Sequence, residues 1–377
     1  MRLRVLEIIP TLVRGGAEKQ FAMLATQLPA SEFDVQVAVL THTGPLEESI
    51  RAANIPVTVI GKRWKTDPLA YRRLKRLIAE YRPDIVHTWI FAANCYGRLA
   101  ARAQRVPHIV ACERCVDRWK VWHELTIDRY LARHTECIAT NSSGVRDFYA
   151  QHGIAAGKFV VIPNGIGPFR PDTSRSRQDL LREFNLPPET RLIGAVGRLW
   201  PQKRYKDLIW AAELLRVARG DTHLLIIGEG PQRDMLQRFC DEVRVTSHVH
   251  FLGQRDDVAA ILTHLDCFWL GSGYEGQSNS LMEAMSAGLP VIATDIPGNR
   301  DLIVPDESGY LVGVGDSGEI ARKTNILLND AALAKSLGQR ARQRMLEEFS
   351  VARMVDQYAQ LFRSLTRSGE NKSAAGP

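Results

Sequence analysis

The 377-residue sequence predicts an α/β protein made of two doubly wound domains, each a parallel sheet covered by helices, facing each other across a cleft. Three observations point there. Short apolar strands alternate with helical segments along the chain, the pattern of parallel sheets buried on both faces. A Pro- and Arg-rich link at 168–176 interrupts the alternation, which then restarts. The chain is also too long for one ordinary core.

The elements follow in order. In the first half, runs rich in Val, Ile and Leu predict strands at 4–9, 35–40, 57–60, 85–88, 109–112, 137–140 and 160–162. Helices fall between them, as at 17–28 and 143–152. Residues 68–81 carry Tyr71, Leu74, Leu77, Ile78 and Tyr81 at helical spacing. In the second half, strands are expected at 192–196, 223–227, 249–252, 267–270, 291–294 and 310–312. The segment 351–365 is amphipathic, and the polar tail from Arg367 is expected to be disordered. The domains are therefore drawn at 1–168 and 169–350, with a helix at 351–366 and a tail at 367–377. In such folds ligands sit at the carboxyl ends of the strands.

Composition narrows the function. Hydrophobic content of 45% and charged content of 24% suit a soluble globular protein. No apolar run approaches the roughly 20 residues needed to span a bilayer. Residues 5–9 read as a first strand and not as an export signal, so a cytoplasmic protein is expected. The six cysteines are scattered, and Cys112-x-x-Cys115 has no second pair at metal-ligand spacing. Neither a metal nor another cofactor is expected.

The net charge of +7 is uneven, with 23 Lys and Arg against 15 Asp and Glu in residues 1–165. Much of this excess lies in Lys62, Arg63, Lys65, Arg72, Arg73, Lys75, Arg76 and Arg82. Two readings stand: a solvated helix face, or contact with an anionic membrane surface at the inner face of the membrane. No nucleic-acid motif accompanies the charge.

The most informative stretch is 272–293. An apolar strand enters a small, polar loop containing Glu275 and Gly276, then a short helix that Gly288 and Pro290 stop. The loop brings the backbone N–H groups of Ser278, Asn279 and Ser280 to a helix N-terminus, which attracts phosphate. Glu275 ahead of it and Glu283 one turn inside suit sugar hydroxyls, so a nucleoside diphosphate sugar fits both. Ser280 and Glu283 also fit the capping-box pattern S-x-x-E.

Gly197-Arg198-Leu199-Trp200-Pro201-Gln202-Lys203 follows the strand at 192–196. Arg198 and Lys203 there suit a departing diphosphate, each with on the order of 4 kcal/mol of raw Coulomb attraction at about 4 Å and intermediate dielectric. The D-x-D motif by which many transferases hold a metal is absent from the sequence. Two surface cations in a solvated loop are the plainer reading. Arg14-Gly15-Gly16 precedes a helix, and paired glycines permit a close ligand approach; a simple loop is the alternative. His87 is expected at a strand end, within reach of an acceptor or sugar hydroxyl, although lone histidines are often structural. Glu113 and Arg114 follow the strand at 109–112. Gly228 and Arg255 lie in turns after two further strands.

These motifs resemble the retaining, nucleotide-sugar-dependent glycosyltransferases of family 4. The stretch from Glu275 to Glu283 with its Glu-Ala-Met and Gly-Leu-Pro-Val continuation is similar to that family's E-x7-E signature, and G-R-x-x-P-x-K to its donor-phosphate motif. The resemblance is strong over 190–312 and weaker over 1–170. It implies the GT-B fold, a C-terminal domain for the sugar nucleotide and an N-terminal domain for a glycan or lipid-linked acceptor. It implies catalytic roles for Arg198, Lys203, Glu275 and His87, and donor contacts from Gly15, Gly16, Gly197, Arg198, Lys203, Gly228, Arg255, Glu275, Gly276, Ser278, Asn279, Ser280 and Glu283. Arg14, Glu113 and Arg114 are the acceptor-side candidates. Many relatives carry a histidine near 113–114, where this chain has Cys-Glu-Arg-Cys. The expected setting is polysaccharide or lipopolysaccharide assembly. A nucleotide-sugar epimerase of the same architecture and a non-catalytic sugar-nucleotide-binding protein are the alternatives.

Overall fold

The computed structural model describes residues 2–172 and 175–373. The chain divides into two compact units, one ending at Gly165 and regained from Val351, the other running from Ile166 to Ser350. The boundary lies at 165/166 because Gln20 clamps Gly165, donating to its carbonyl and accepting from its N–H at 2.9 Å each. Ile166 instead donates to the Phe349 carbonyl at 2.7 Å within the second unit.

The first unit is a seven-stranded sheet of β1 (Leu3–Thr11), β2 (Phe33–His42), β3 (Val57–Val59), β4 (Ile85–Trp89), β5 (His108–Glu113), β6 (Cys137–Thr140) and β7 (Phe159–Val161), in the order β3-β2-β1-β4-β5-β6-β7. Every pairing is parallel. Alternation along β1 divides its residues between two cores. Val5 and Ile9 join Phe21, Leu24, Tyr358 and Phe362, so helix Gly16–Gln27 and the final helix, Val351–Ser373, cover that face. Leu6 and Ile8 meet Leu74, Ile78, Ala93 and Ala100 of helices Pro68–Tyr81 and Ile90–Ala103. Helix Pro68–Tyr81 starts where Asp67 accepts from the Leu69 and Ala70 amides at 3.0 and 2.9 Å, with Pro68 in the first turn.

The second unit is a six-stranded parallel sheet of β8 (Arg191–Val196), β9 (Thr222–Ile227), β10 (Val249–Gly253), β11 (Cys267–Leu270), β12 (Val291–Thr294) and β13 (Tyr310–Val312), in the order β10-β9-β8-β11-β12-β13. Its helices again form two covering layers, with Ile193, Leu208 and Leu215 in one core and Leu192, Phe268, Leu281 and Met285 in the other.

The final helix runs past Arg367 to Ser373, where the sequence suggests a disordered tail; residues 374–377 lie outside the described part. Among the described residues, no helix is long and apolar enough to cross a membrane.

Candidate active site

In each sheet one pair of neighbouring strands sends its connections in opposite directions, β1/β4 in the first unit and β8/β11 in the second. Such a switch point opens a crevice at the carboxyl ends of the strands. In the second unit it is bordered by the loop after β8, Gly197–Lys203, and the loop after β11, which leads into helix Asn279–Ser286.

Lys203 and Glu275 join these loops, with Nζ 2.5 Å from Oε1. The Ser272 hydroxyl donates to the same oxygen at 2.8 Å, and Gln202 Nε2 donates to Oε2 at 3.1 Å and to the Tyr274 carbonyl at 2.8 Å. The carboxylate is thus held from three sides while still partly open to solvent. Arg198 is exposed; its carbonyl accepts from the Trp200 amide at 2.8 Å, while its guanidinium makes no hydrogen bond or ion pair among the described residues, so its charge is available.

Helix Asn279–Ser286 begins at Ser278, whose side chain makes no capping bond to it. Its first amides lack intrahelical acceptors, as at any helix start. Because the cap is Ser278, Glu283 lies beyond the third helical position and the S-x-x-E capping box does not form. Ser278 and Ser280 instead share a hydroxyl contact at 3.1 Å.

Two glycines make this crevice possible. A Cβ on Gly228, whose φ is +141°, would lie 2.1 Å from the Gly197 carbonyl oxygen. One on Gly298 would lie 1.5 Å from the carbonyl oxygen of Gly276. Thr294 adds a brace, donating to the Ser272 carbonyl at 2.6 Å. Sequence reasoning missed Gly298, Thr294 and Gln202. The Pro297-Gly298 turn signal was visible, but its contact with Gly276 joins distant segments.

Arg255 needs correction. Its guanidinium is bidentate to Asp257 at 2.7 and 2.6 Å and reaches Glu183 at 2.8 Å, a clamp shared with Arg175. The side chain is spent on this ion-pair network and is not open to a donor.

In the first unit, Arg14 and Gly16 are exposed after β1. Gly15 caps helix Gly16–Gln27, and a Cβ on it would fall 2.0 Å from Glu18 Oε2, so only glycine lets that carboxylate fold back over the helix start.

His87 does not sit at a strand mouth. It is wholly buried within β4, in register with Glu7 of β1, and its Nδ1 lies 3.0 Å from the Glu7 carboxylate. Trp89 donates to the other oxygen of Glu7 at 2.9 Å, while Tyr358 and Phe362 cover the imidazole at 5.3 and 5.5 Å between centroids. Burial opposes the charged imidazole, but Glu7 outweighs it and, with Cys112, raises the pKa to about 9. His87 is a core residue, out of reach of a hydroxyl substrate.

Glu113 and Arg114 are corrected likewise. Glu113 is 3% exposed among Lys120, Asn94 and Tyr149, at 3.3, 2.8 and 3.1 Å. Burial pushes its pKa up to about 7 against the pull of Lys120. Arg114 donates to Tyr358 at 3.2 Å and to Asn164, and its guanidinium lies 5.0 Å from the Trp89 ring centroid. Both sit inside the unit, where side chains of other segments take up most of their bonding; the Arg114 Nε is left buried without a partner. The basic helix is also partly spent: Arg73 donates to the Ile60 and Gly61 carbonyls at 2.6 and 3.0 Å, and Arg76 lies 3.5 Å from Glu80.

Comparison with known proteins decides the assignment. The family profile described as Glycosyl transferases group 1 matches residues 176–344, and that described as Glycosyltransferase Family 4 matches residues 14–169. The chain belongs to the group 1, family 4 glycosyltransferases. As a glycosyltransferase, it is 29% identical over 308 residues to a putative glycosyltransferase, EpsD, of Bacillus subtilis, covering 78% of this chain and 79% of that one. It is 24% identical to the Escherichia coli UDP-Gal:alpha-D-GlcNAc-diphosphoundecaprenol alpha-1,3-galactosyltransferase, with 96% of each chain covered. The fold matches Anabaena Alr3699/HepE, solved in complex with UDP-glucose, at a TM-score of 0.86 and 21% identity, over 96% of this chain and all of that one. The architecture is GT-B.

Proposed function

We propose that this glycosyltransferase moves a sugar from a uridine diphosphate sugar to a lipid-linked glycan in cell-surface polysaccharide or lipopolysaccharide assembly, with retention at the anomeric carbon and without a metal. The observation that carries the reading is the exposed Arg198 cation on the same post-β8 loop as Lys203, whose pair with Glu275 lies at the switch point of the second sheet. Two fixed cations suit the charge that develops on a leaving diphosphate, work otherwise given to a metal ion. The amides of Ser278, Asn279 and Ser280 add the positive end of a helix. Glu275 takes hydroxyls of the transferring sugar and Glu283 the ribose. Gly15 and Gly16 are taken as further donor contacts and Arg14 as an acceptor contact, as the family resemblance implies.

Retention is read as a front-face substitution. The bond from the anomeric carbon to the β-phosphate oxygen breaks, and the acceptor oxygen bonds the same carbon from the same side. The acceptor proton passes to the departing phosphate oxygen. The base and the acceptor class are supported by the HepE complex and the E. coli relative, whose names give UDP-glucose and a diphosphoundecaprenol-linked sugar. The first unit is proposed to meet the lipid-borne acceptor at an anionic membrane surface of the cytoplasm.

The test is transfer from UDP-glucose, UDP-galactose and UDP-N-acetylglucosamine to a diphosphate-lipid-linked acceptor in EDTA, with the new linkage assigned by NMR. An α-linked product is expected. A β-linked product, or turnover lost to the chelator, would overturn the stereochemical or the metal-free part respectively.

A further inference from the structure

We propose that the rim at the carboxyl edge of the first sheet docks on an anionic lipid bilayer, seating Trp64, Trp119 and Trp122 in the interface. This deepens the lipid-linked-acceptor reading and rests on it for its purpose.

Two connections build the rim, one between β3 and helix Pro68–Tyr81, the other between β5 and helix Trp122–Ala132. The strands are parallel, so both connections leave the same edge. Both also lean on helix Ile90–Ala103. The Trp119 ring meets Phe91 edge-on at 5.3 Å, while the Asp67 amide donates to the Tyr96 hydroxyl at 2.6 Å and Lys62 stands 5.2 Å from that ring's centroid.

What faces outward is unusual for a surface. Trp64, Leu69, Trp119, Val121 and Trp122 are 59, 52, 56, 50 and 76% exposed. The acids of these segments turn inward, with Asp67, Glu124 and Asp128 only 2, 7 and 2% exposed. Arg63, Lys65 and Arg118 face out. Helix Trp122–Ala132 buries Glu124 and Asp128 beside Leu131 and Ala132, while Ile127 and Tyr130 remain 40 and 47% exposed; an ordinary surface helix keeps its carboxylates on the solvent side.

The cause is Lys120. Its side chain is fully buried, 3.2 and 2.9 Å from Asp117 and Asp128 and 2.6 Å from the Tyr149 hydroxyl. That anchor holds the turn and pushes its neighbours Trp119 and Val121 outward. Tryptophan favours the headgroup level of a bilayer, and arginine and lysine favour anionic lipid. A second copy is a poorer occupant, because it would bring the same cations together with few exposed carboxylates to meet them. The rim shares its edge with the loop carrying Gly15 and Gly16, so docking delivers a lipid-borne acceptor to that edge.

The test is flotation of the full chain with vesicles of phosphatidylcholine alone or with 30% phosphatidylglycerol. The wild type is expected to float with the anionic vesicles only. Trp119→Ser/Trp122→Ser and Arg63→Glu/Lys65→Glu should each bind roughly tenfold more weakly, with UDP affinity by calorimetry unchanged. Wild-type protein that stays with the bottom fraction, or a double-tryptophan variant that floats equally well, overturns the proposal. So does a tryptophan variant that floats normally but loses transfer to a water-soluble acceptor, which would make the rim a carbohydrate platform. Flotation as expected by a chain with no UDP affinity would support docking and remove the donor reading alone.

Discussion

Lys203 Nζ lies 2.5 Å from Glu275 Oε1, and this one ion pair ties the loop after β8 to the loop after β11. Both groups are partly exposed, so the pair holds two reactive side chains in register without sealing them. On the proposed reading, an arriving donor would set a phosphate to compete for the ammonium and a sugar hydroxyl for the carboxylate. Glu275→Gln should keep UDP affinity within a few-fold and lower kcat by roughly 100-fold, since charge-assisted bonds contribute about 1.5–3 kcal/mol. Steady-state kinetics beside calorimetry checks it; a change in UDP affinity alone would give Glu275 a different role.

Glu283→Ala should weaken UDP binding by roughly 10- to 100-fold while the melting temperature stays close to wild type. The capping box that would make Glu283 a stability residue is not formed, because the helix starts at Ser278. A large drop in melting temperature would return it to a structural role.

Gly298→Ala places a Cβ against the Gly276 carbonyl. Relief requires moving the loop that carries Glu275, so the variant should lose about 1–3 kcal/mol of stability and bind UDP more weakly. Urea denaturation and calorimetry on the same variant report the two effects.

The fold was legible because its signals are local. All thirteen strands of β1 to β13 follow apolar runs, and Gly288 and Pro290 mark the end of helix Asn279–Ser286 ahead of β12. The loops around Lys203 and Glu275 were legible for the same reason, as glycine-rich turns after strands. His87, Glu113, Arg114 and Arg255 misled because a polar residue near a strand end looks exposed in sequence. Their partners Glu7, Lys120, Asn164 and Glu183 come from other elements, and only the folded chain brings them together.

Lys120→Met would leave Glu113, Asp117 and Asp128 without their shared cation. Removing one partner from a buried ionic cluster costs about 3–5 kcal/mol, and urea denaturation should register that loss. Stability near wild type would mean that the carboxylates take up protons at little cost.

Two histidine groups predict opposite pH limbs. His87 is raised from 6.5 to about 9, so its stabilisation is full below about pH 6.5 and is lost as pH rises through 9. His223 and His250, whose ring nitrogens are 2.9 Å apart, are lowered to about 4 by burial and by the nearby His248. Their contribution is present above 6.5 and is lost as pH falls toward 4. Denaturation at a series of pH values should show both limbs, and His87→Gln should flatten only the alkaline one.

The proposed donor site is tested most directly by calorimetric titration of UDP, in EDTA, into wild type, Arg198→Ala and Lys203→Ala. Saturable binding by the wild type, weakened roughly 10- to 100-fold in each variant, is the expected result. Equal UDP affinity in all three proteins, or wild-type binding that appears only after a divalent ion is restored, would contradict a diphosphate site built from Arg198 and Lys203.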